Sequence, residues 1–148
     1  MKLPKYEYYT ESEAKLFKFT SEGPKGKIKK LIVYSQMFQD DIYNLAFGDY
    51  DEETDSINDT VITNNNDSQK VLATVVSTLY VFTNKHPNFW VYATGSNSAR
   101  TRLYRMGITT NLKEILADFQ VYGLSDENWQ EFEKGKKYEA FLVKRKLH

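Results

Sequence analysis

Alternation of apolar and polar residues begins at Leu16-Phe17-Lys18-Phe19 and resumes from Lys27 to Tyr34. There Ile28, Lys30 and Ile32 share one face and Lys29, Leu31 and Val33 the other. A period of two marks a half-buried strand. Between the runs, Ser21-Glu22-Gly23-Pro24-Lys25-Gly26 carries two Gly and one Pro in six residues, so the pair reads as a β-hairpin. A third strand is expected at Ile42 to Phe47, closed by the turn-rich acidic stretch Gly48 to Asp55. Val61 and Ile62 suggest a short resumption. Residues 1 to 13 are polar and rich in tyrosine, with no element assigned.

The period then changes. Val71, Leu72, Val75, Val76, Leu79 and Phe82 recur at helical spacing behind several N-cap candidates in Thr63 to Ser68, which predicts a helix from about Asp67 to Asn84. Its β-branched content opposes a helix, but length and the stop at Pro87 favour one. Phe89-Trp90-Val91-Tyr92-Ala93 is a continuous apolar run, expected as a central strand buried on both faces. Gly95-Ser96-Asn97 leads into a second helix over residues 97 to 106, with Ala99, Leu103 and Met106 inward and Gly107 as its end. A short helix at Asn111 to Ala117, a strand at Phe119 to Tyr122 and a last strand at Tyr138 to Lys144 complete the chain, with Gly123 to Gly135 a polar excursion. The expectation is one α+β domain over residues 1–148. Its order is β-β-β-α-β-α-β-β: a largely antiparallel sheet of six strands covered by two main helices.

Composition narrows the function. With 148 residues and 41% hydrophobic content the chain can bury one core. Twenty basic residues balance twenty acidic ones, so no global field draws it to nucleic acid or an anionic membrane, and nucleic-acid partners are not expected. There is no Cys, which removes thiol catalysis and thiolate metal sites and fits a reducing, cytoplasmic setting. No window approaches the roughly 20 apolar residues of a membrane span. No metal site is expected: the acidic run from Asp49 places Thr54 and Thr60 where a calcium loop needs Gly and Glu. His86, beside Pro87, reads as a helix C-terminal residue.

Gly95 to Met106 stands out. The chain has four Arg, and three of them, Arg100, Arg102 and Arg105, fall within six residues. A strand passing through glycine into a helix presents unpaired N–H groups where the helix dipole also favours negative charge. Ser96, Asn97 and Ser98 supply further polar groups, and guanidinium grips carboxylate or phosphate bidentately. One reading is a pocket for a small anionic ligand (phosphate, nucleotide or acidic group) or an acidic partner. The other is a helix capped by Asn97 whose arginines pair with the acidic loop.

Charge is also segregated: six Lys and one Glu lie between Lys15 and Lys30, and eight acids with no base between Asp40 and Asp59. This suits docking within the fold or, alternatively, a protein–protein interaction module. Gly23 to Ile28 has the wrong spacing for a P-loop, and no Gly-x-Gly-x-x-Gly occurs.

Two resemblances add to this. Ser21 to Gly26, Phe47 to Thr54, Lys70 to Val75 and Ala99 to Gly107 together resemble a bacterial family known only as a domain of unknown function, which implies a stand-alone domain of about this size and says nothing of its activity. The element order, with Asn97, Leu103-Tyr104 and Gly107-Ile108, resembles the core of the GCN5-related acetyltransferases. That likeness implies an acyl-CoA cofactor with its pyrophosphate on backbone amides around Asn65 to Gln69, and Tyr104 as the general acid for the CoA thiolate.

Overall fold

The computed structural model describes residues 4–58 and 63–147. Its sheet begins with β1 (Tyr8–Thr10), β2 (Leu16–Gly23), β3 (Gly26–Gln36), β4 (Ile42–Asp51) and β5 (Ser56–Ile57). Helix α1 (Ser68–Lys85), β6 (Trp90–Ala93), α2 (Ser98–Thr110) and α3 (Leu112–Asp118) follow, then β7 (Phe119–Ser125), β8 (Asn128–Glu131) and β9 (Ala140–Arg145). Hydrogen-bonded neighbours run β1-β2-β3-β4-β6-β9-β7-β8, with β5 paired to the far end of β4. Every pairing is antiparallel except β4 with β6, which α1 connects as a crossover. The architecture is α+β and mostly antiparallel, as expected.

The strand count is corrected from six to nine among the described residues. Two short edge strands account for most of the difference. β1 lies inside the tyrosine-rich start, and β8 lies inside the stretch read as a polar excursion, where it forms a hairpin with β7. Edge strands carry polar residues because one edge stays in water, so they lack the alternation that identifies inner strands. The suggested strand at Val61 and Ile62 falls outside the described residues.

The helices pack against one face of the sheet. Phe17, Ile32, Tyr34, Leu45, Phe47, Val91, Phe141 and Val143 from that face join Val71, Val75, Val76, Leu79 and Phe82 of α1 in one core. Phe82 stacks on Tyr34 with ring centroids 4.3 Å apart. The β-branched residues that argued against α1 are outweighed by burial: Val71, Val75 and Val76 lie in the core, and the buried hydroxyls of Thr74, Thr78 and Thr83 donate to the carbonyls of Lys70, Val75 and Leu79. β6 is central, but it is not buried on both faces. Val91 and Ala93 enter the core while Trp90 and Tyr92 are half-buried on the other face, against Tyr122 and Trp129.

In α2 the predicted inner face is rotated. Thr101, Gly107 and Ile108 are the buried residues and Ala99 is exposed. Gly107 does not end the helix, which continues to Thr110. Gly107 lies in the contact between α2 and α1, where a Cβ would stand 3.6 Å from Leu72, an ordinary packing distance.

A buried ion pair ties the middle of the sheet to the chain entering α1. Lys30 and Asp49 face each other across β3 and β4, and Lys30 is 1% exposed. The ammonium donates to Asp49 Oδ1 and to the Thr63 carbonyl at 2.8 Å. Asp49 Oδ2 accepts the Thr63 N–H at 3.0 Å. Lys29 pairs with Glu52 at 3.1 Å on the surface, so part of the segregated charge is matched within the fold.

Removing one partner leaves the other charge buried alone. Lys30→Ala is expected to cost about 3–5 kcal/mol, and Lys30→Met with Asp49→Leu to recover most of that. Urea denaturation measures both, and a loss below about 1 kcal/mol for the single variant would mean the pair is screened like a surface one. A second expectation concerns pH. Burial pushes Tyr104 up to about 12 and also raises Tyr34 and Tyr80 above the ordinary value of 10.0. The folded state thus holds phenolic protons that the unfolded chain releases near pH 10. Stability from these groups should be intact below pH 10 and fall from there towards pH 12, seen as unfolding that coincides with tyrosinate absorbance.

Candidate functional site

The parallel ladder between β4 and β6 is short. Ile42, Tyr43 and Asn44 pair with Trp90, Val91 and Tyr92, and the two strands then part. β4 runs on to Asp51, and among the described residues its edge from Leu45 onward has no strand beside it until β5 pairs Tyr50 and Asp51. Backbone groups on that edge need other partners. Tyr104 of α2 provides one: its hydroxyl donates to the Leu45 carbonyl at 3.4 Å and accepts from the Phe47 N–H. Burial raises its pKa to about 12, while that N–H and the nearby Arg100 guanidinium favour ionisation to a smaller extent. An apolar void of about 50 Å³ lies beside it, lined by residues that include Leu72, Val76, Val91 and Phe141.

Beyond the parting strands, the starts of α1 and α2 border a cleft of about 330 Å³. Asn97, Ala99, Arg100 and Leu103 form one wall, and Thr63, Asn64, Asp67 and Ser68 the other, with Lys30 and Phe47 also lining it. Asp67 holds the N-cap position of α1 but does not cap it. Its carboxylate accepts from Tyr6 at 2.6 Å and Ser21 at 2.5 Å, which leaves the first turn of α1 without a side-chain cap. Asn97 does cap α2, as expected, accepting the Arg100 N–H at 2.9 Å. Arg100 gives one guanidinium N–H to the Asn58 carbonyl at 3.3 Å.

The turn before α1 is anchored through Asn65, which is 1% exposed. Its side chain donates to the Gly26 carbonyl and accepts the Lys25 N–H. Gly23 is required there, because a Cβ would meet the Asn65 carbonyl at 2.1 Å. This turn contains no glycine of its own.

The expected site residues do not form one seat. Arg100 and Asn97 line the cleft between the helix starts, whereas Ser98, Arg102 and Arg105 line a separate groove of about 570 Å³ on the other side of α2. Lys137 and Glu139 are part of that groove. Ser96 is exposed and lines neither. The sequence reading missed Lys30 in the cleft and Lys137 and Glu139 in the groove, while Asp67 and Ser68 fall in the segment around Asn65 to Gln69 that only the acetyltransferase resemblance pointed to. Lys30 had a signal, since it shares a strand face with Ile28 and Ile32. His86 is the C-cap of α1, and its ring faces the Glu13 carbonyl at 2.9 Å. Among the described residues no group of three His, Asp or Glu side chains is placed to hold a metal ion, and no helix is long and apolar enough to cross a membrane.

Gly95 fixes the entry to α2. A Cβ would lie 2.4 Å from Arg100 Cβ and from the Thr101 nitrogen, and the Gly95 N–H donates to Thr101 Oγ1 at 3.0 Å. Gly95→Ala should therefore displace the α2 start and cost about 1–3 kcal/mol in thermal or urea unfolding. An unchanged midpoint would show that the junction tolerates a side chain.

No curated protein and no solved structure matches this chain, so the acetyltransferase likeness rests on element order and the few residues quoted for it. A family model does match, over residues 2–146, nearly the whole chain. The chain belongs to that family, the family of unknown function DUF6934.

Proposed function

We propose that this protein binds a phosphate-bearing small molecule in the cleft between the starts of α1 and α2. The observation that carries the reading is the meeting of two helix N-termini and Arg100 where the only parallel strand pair among the described residues parts. Ligands of sheets with parallel strands sit outside the carboxyl ends of those strands. Uncapped N–H groups at the first turn of α1 and a guanidinium across the cleft are complementary to a phosphate. Asp67 also lines the cleft and opposes an anion there, and the Tyr6 and Ser21 hydroxyls that donate to its Oδ2 partly offset that charge. Asn97 holds Arg100 at the rim by capping α2.

A second reading is an acyl-CoA-dependent, acetyltransferase-like activity, favoured by one observation: the Tyr104 hydroxyl sits on the open edge of β4, next to an apolar void that shares Leu72 with the polar cleft. A phenol raised to about 12 keeps its proton at neutral pH but is a weaker acid than the thiol it would regenerate, so position and not acidity favours this role. The anchored Asn65 turn has no glycine-rich loop to wrap a pyrophosphate, so simple binding is the leading reading.

Thermal-shift and calorimetric titration with inorganic phosphate, ATP and CoA separates the two. Binding of at least one, weakened about tenfold or more in Arg100→Ala, is expected. CoA alone binding, with Tyr104→Phe abolishing acyl transfer at unchanged CoA affinity, would favour the second reading. No response to any of the three would remove both.

A further inference from the structure

The groove on the far side of α2 is separate from the cleft just described. It is lined by Thr94, Ser98, Arg102, Arg105, Lys137 and Glu139, with the Thr94 hydroxyl donating to the Glu139 carbonyl at 2.8 Å. Residues three apart on a helix share a face, so the two guanidinium groups stand over the same groove. Three cations meet one carboxylate there.

Arginine is scarce in this chain, four against sixteen lysines in a total of twenty. The other two have structural work. Arg145 lies over Tyr80 and Phe119 and donates to Thr83 and the Tyr80 carbonyl, and Arg100 donates to the Asn58 carbonyl. Among the described residues Arg102 and Arg105 have no ion pair or side-chain hydrogen bond, although Glu139 shares their groove. Crowding like charges on one helix face is unfavourable unless an anion joins them. The planar fork of guanidinium fits carboxylate and phosphate oxygens as an ammonium does not. The groove is also of small-molecule size.

We propose that this groove is a second ligand site, taking a small molecule with two or more acidic oxygens on adjacent groups, gripped by Arg102 and Arg105 and closed electrostatically by Lys137. It stands independently of the cleft reading, because Arg100 points into the other cavity.

The test is an NMR titration of the ¹⁵N-labelled full chain at low ionic strength with citrate and, separately, inorganic phosphate, against sodium chloride of matched ionic strength. Citrate, phosphate or both should shift the Arg102 and Arg105 side-chain N–H signals and the amides of Thr94 and residues 137–139, which border this groove and not the cleft, saturably, with chloride causing no saturable change. Response to citrate alone identifies a carboxylate ligand, and response to phosphate alone a phosphomonoester. R102A/R105A should weaken binding about tenfold or more, and Lys137→Ala less. Arg100→Ala should leave this titration unchanged while impairing the cleft. Both side chains lie on the outer part of α2, and an otherwise preserved amide spectrum confirms the fold of the double variant. Absence of saturable shifts at these groups with either anion, or shifts of the Thr94 and 137–139 amides that persist in R102A/R105A, would overturn the proposal.

Discussion

The end of the β4–β6 ladder after three residue pairs is the constraint around which the rest of the molecule is arranged. A strand edge released from its neighbour inside a folded protein must find other hydrogen-bond partners. Here Tyr104 reaches from α2 to complete part of it. Both helices that leave the parallel pair then begin at the same end of the sheet. Their dipoles point positive ends into one cleft, and Gly95 lets α2 start close enough for Arg100 to stand at its wall.

Charge around this opening is held by buried structure. Lys30 and Asp49 neutralise each other beneath the cleft and fasten Thr63, the last described residue before the turn into α1. Asp67 is drawn to Tyr6 and Ser21 instead of to its own helix. Such arrangements exchange helix-capping stabilisation of about 1 kcal/mol for an exposed set of N–H donors. Under the proposed reading, a cap on α1 would have occupied the groups that a phosphate needs.

Much of this was legible in the residues. The hairpin around Gly23 and Gly26, both main helices and the Asn97 cap followed from period and punctuation. The division of the arginines was legible in principle too. On an α-helix Arg100 and Arg102 lie about 200° apart, whereas Arg102 and Arg105 are within about 60°. Nearness in sequence was taken for nearness in space. Lys30 was visible as a lysine on an apolar strand face, and Asp49 two residues past Phe47 on another, but pairing them requires the register of β3 with β4. Gly107 carries no sequence mark that separates a helix end from a position inside a helix–helix contact.

The most direct measurement of the central claim is residue-resolved mapping of ATP and CoA on the labelled chain. If the two helix starts form one anion cleft, the amides of Ser68, Gln69 and Lys70 and those of Ala99, Arg100 and Thr101 should shift with a single shared affinity, and that joint response should be lost in Arg100→Ala. Shifts confined to only one helix start, or centred away from both, would contradict it.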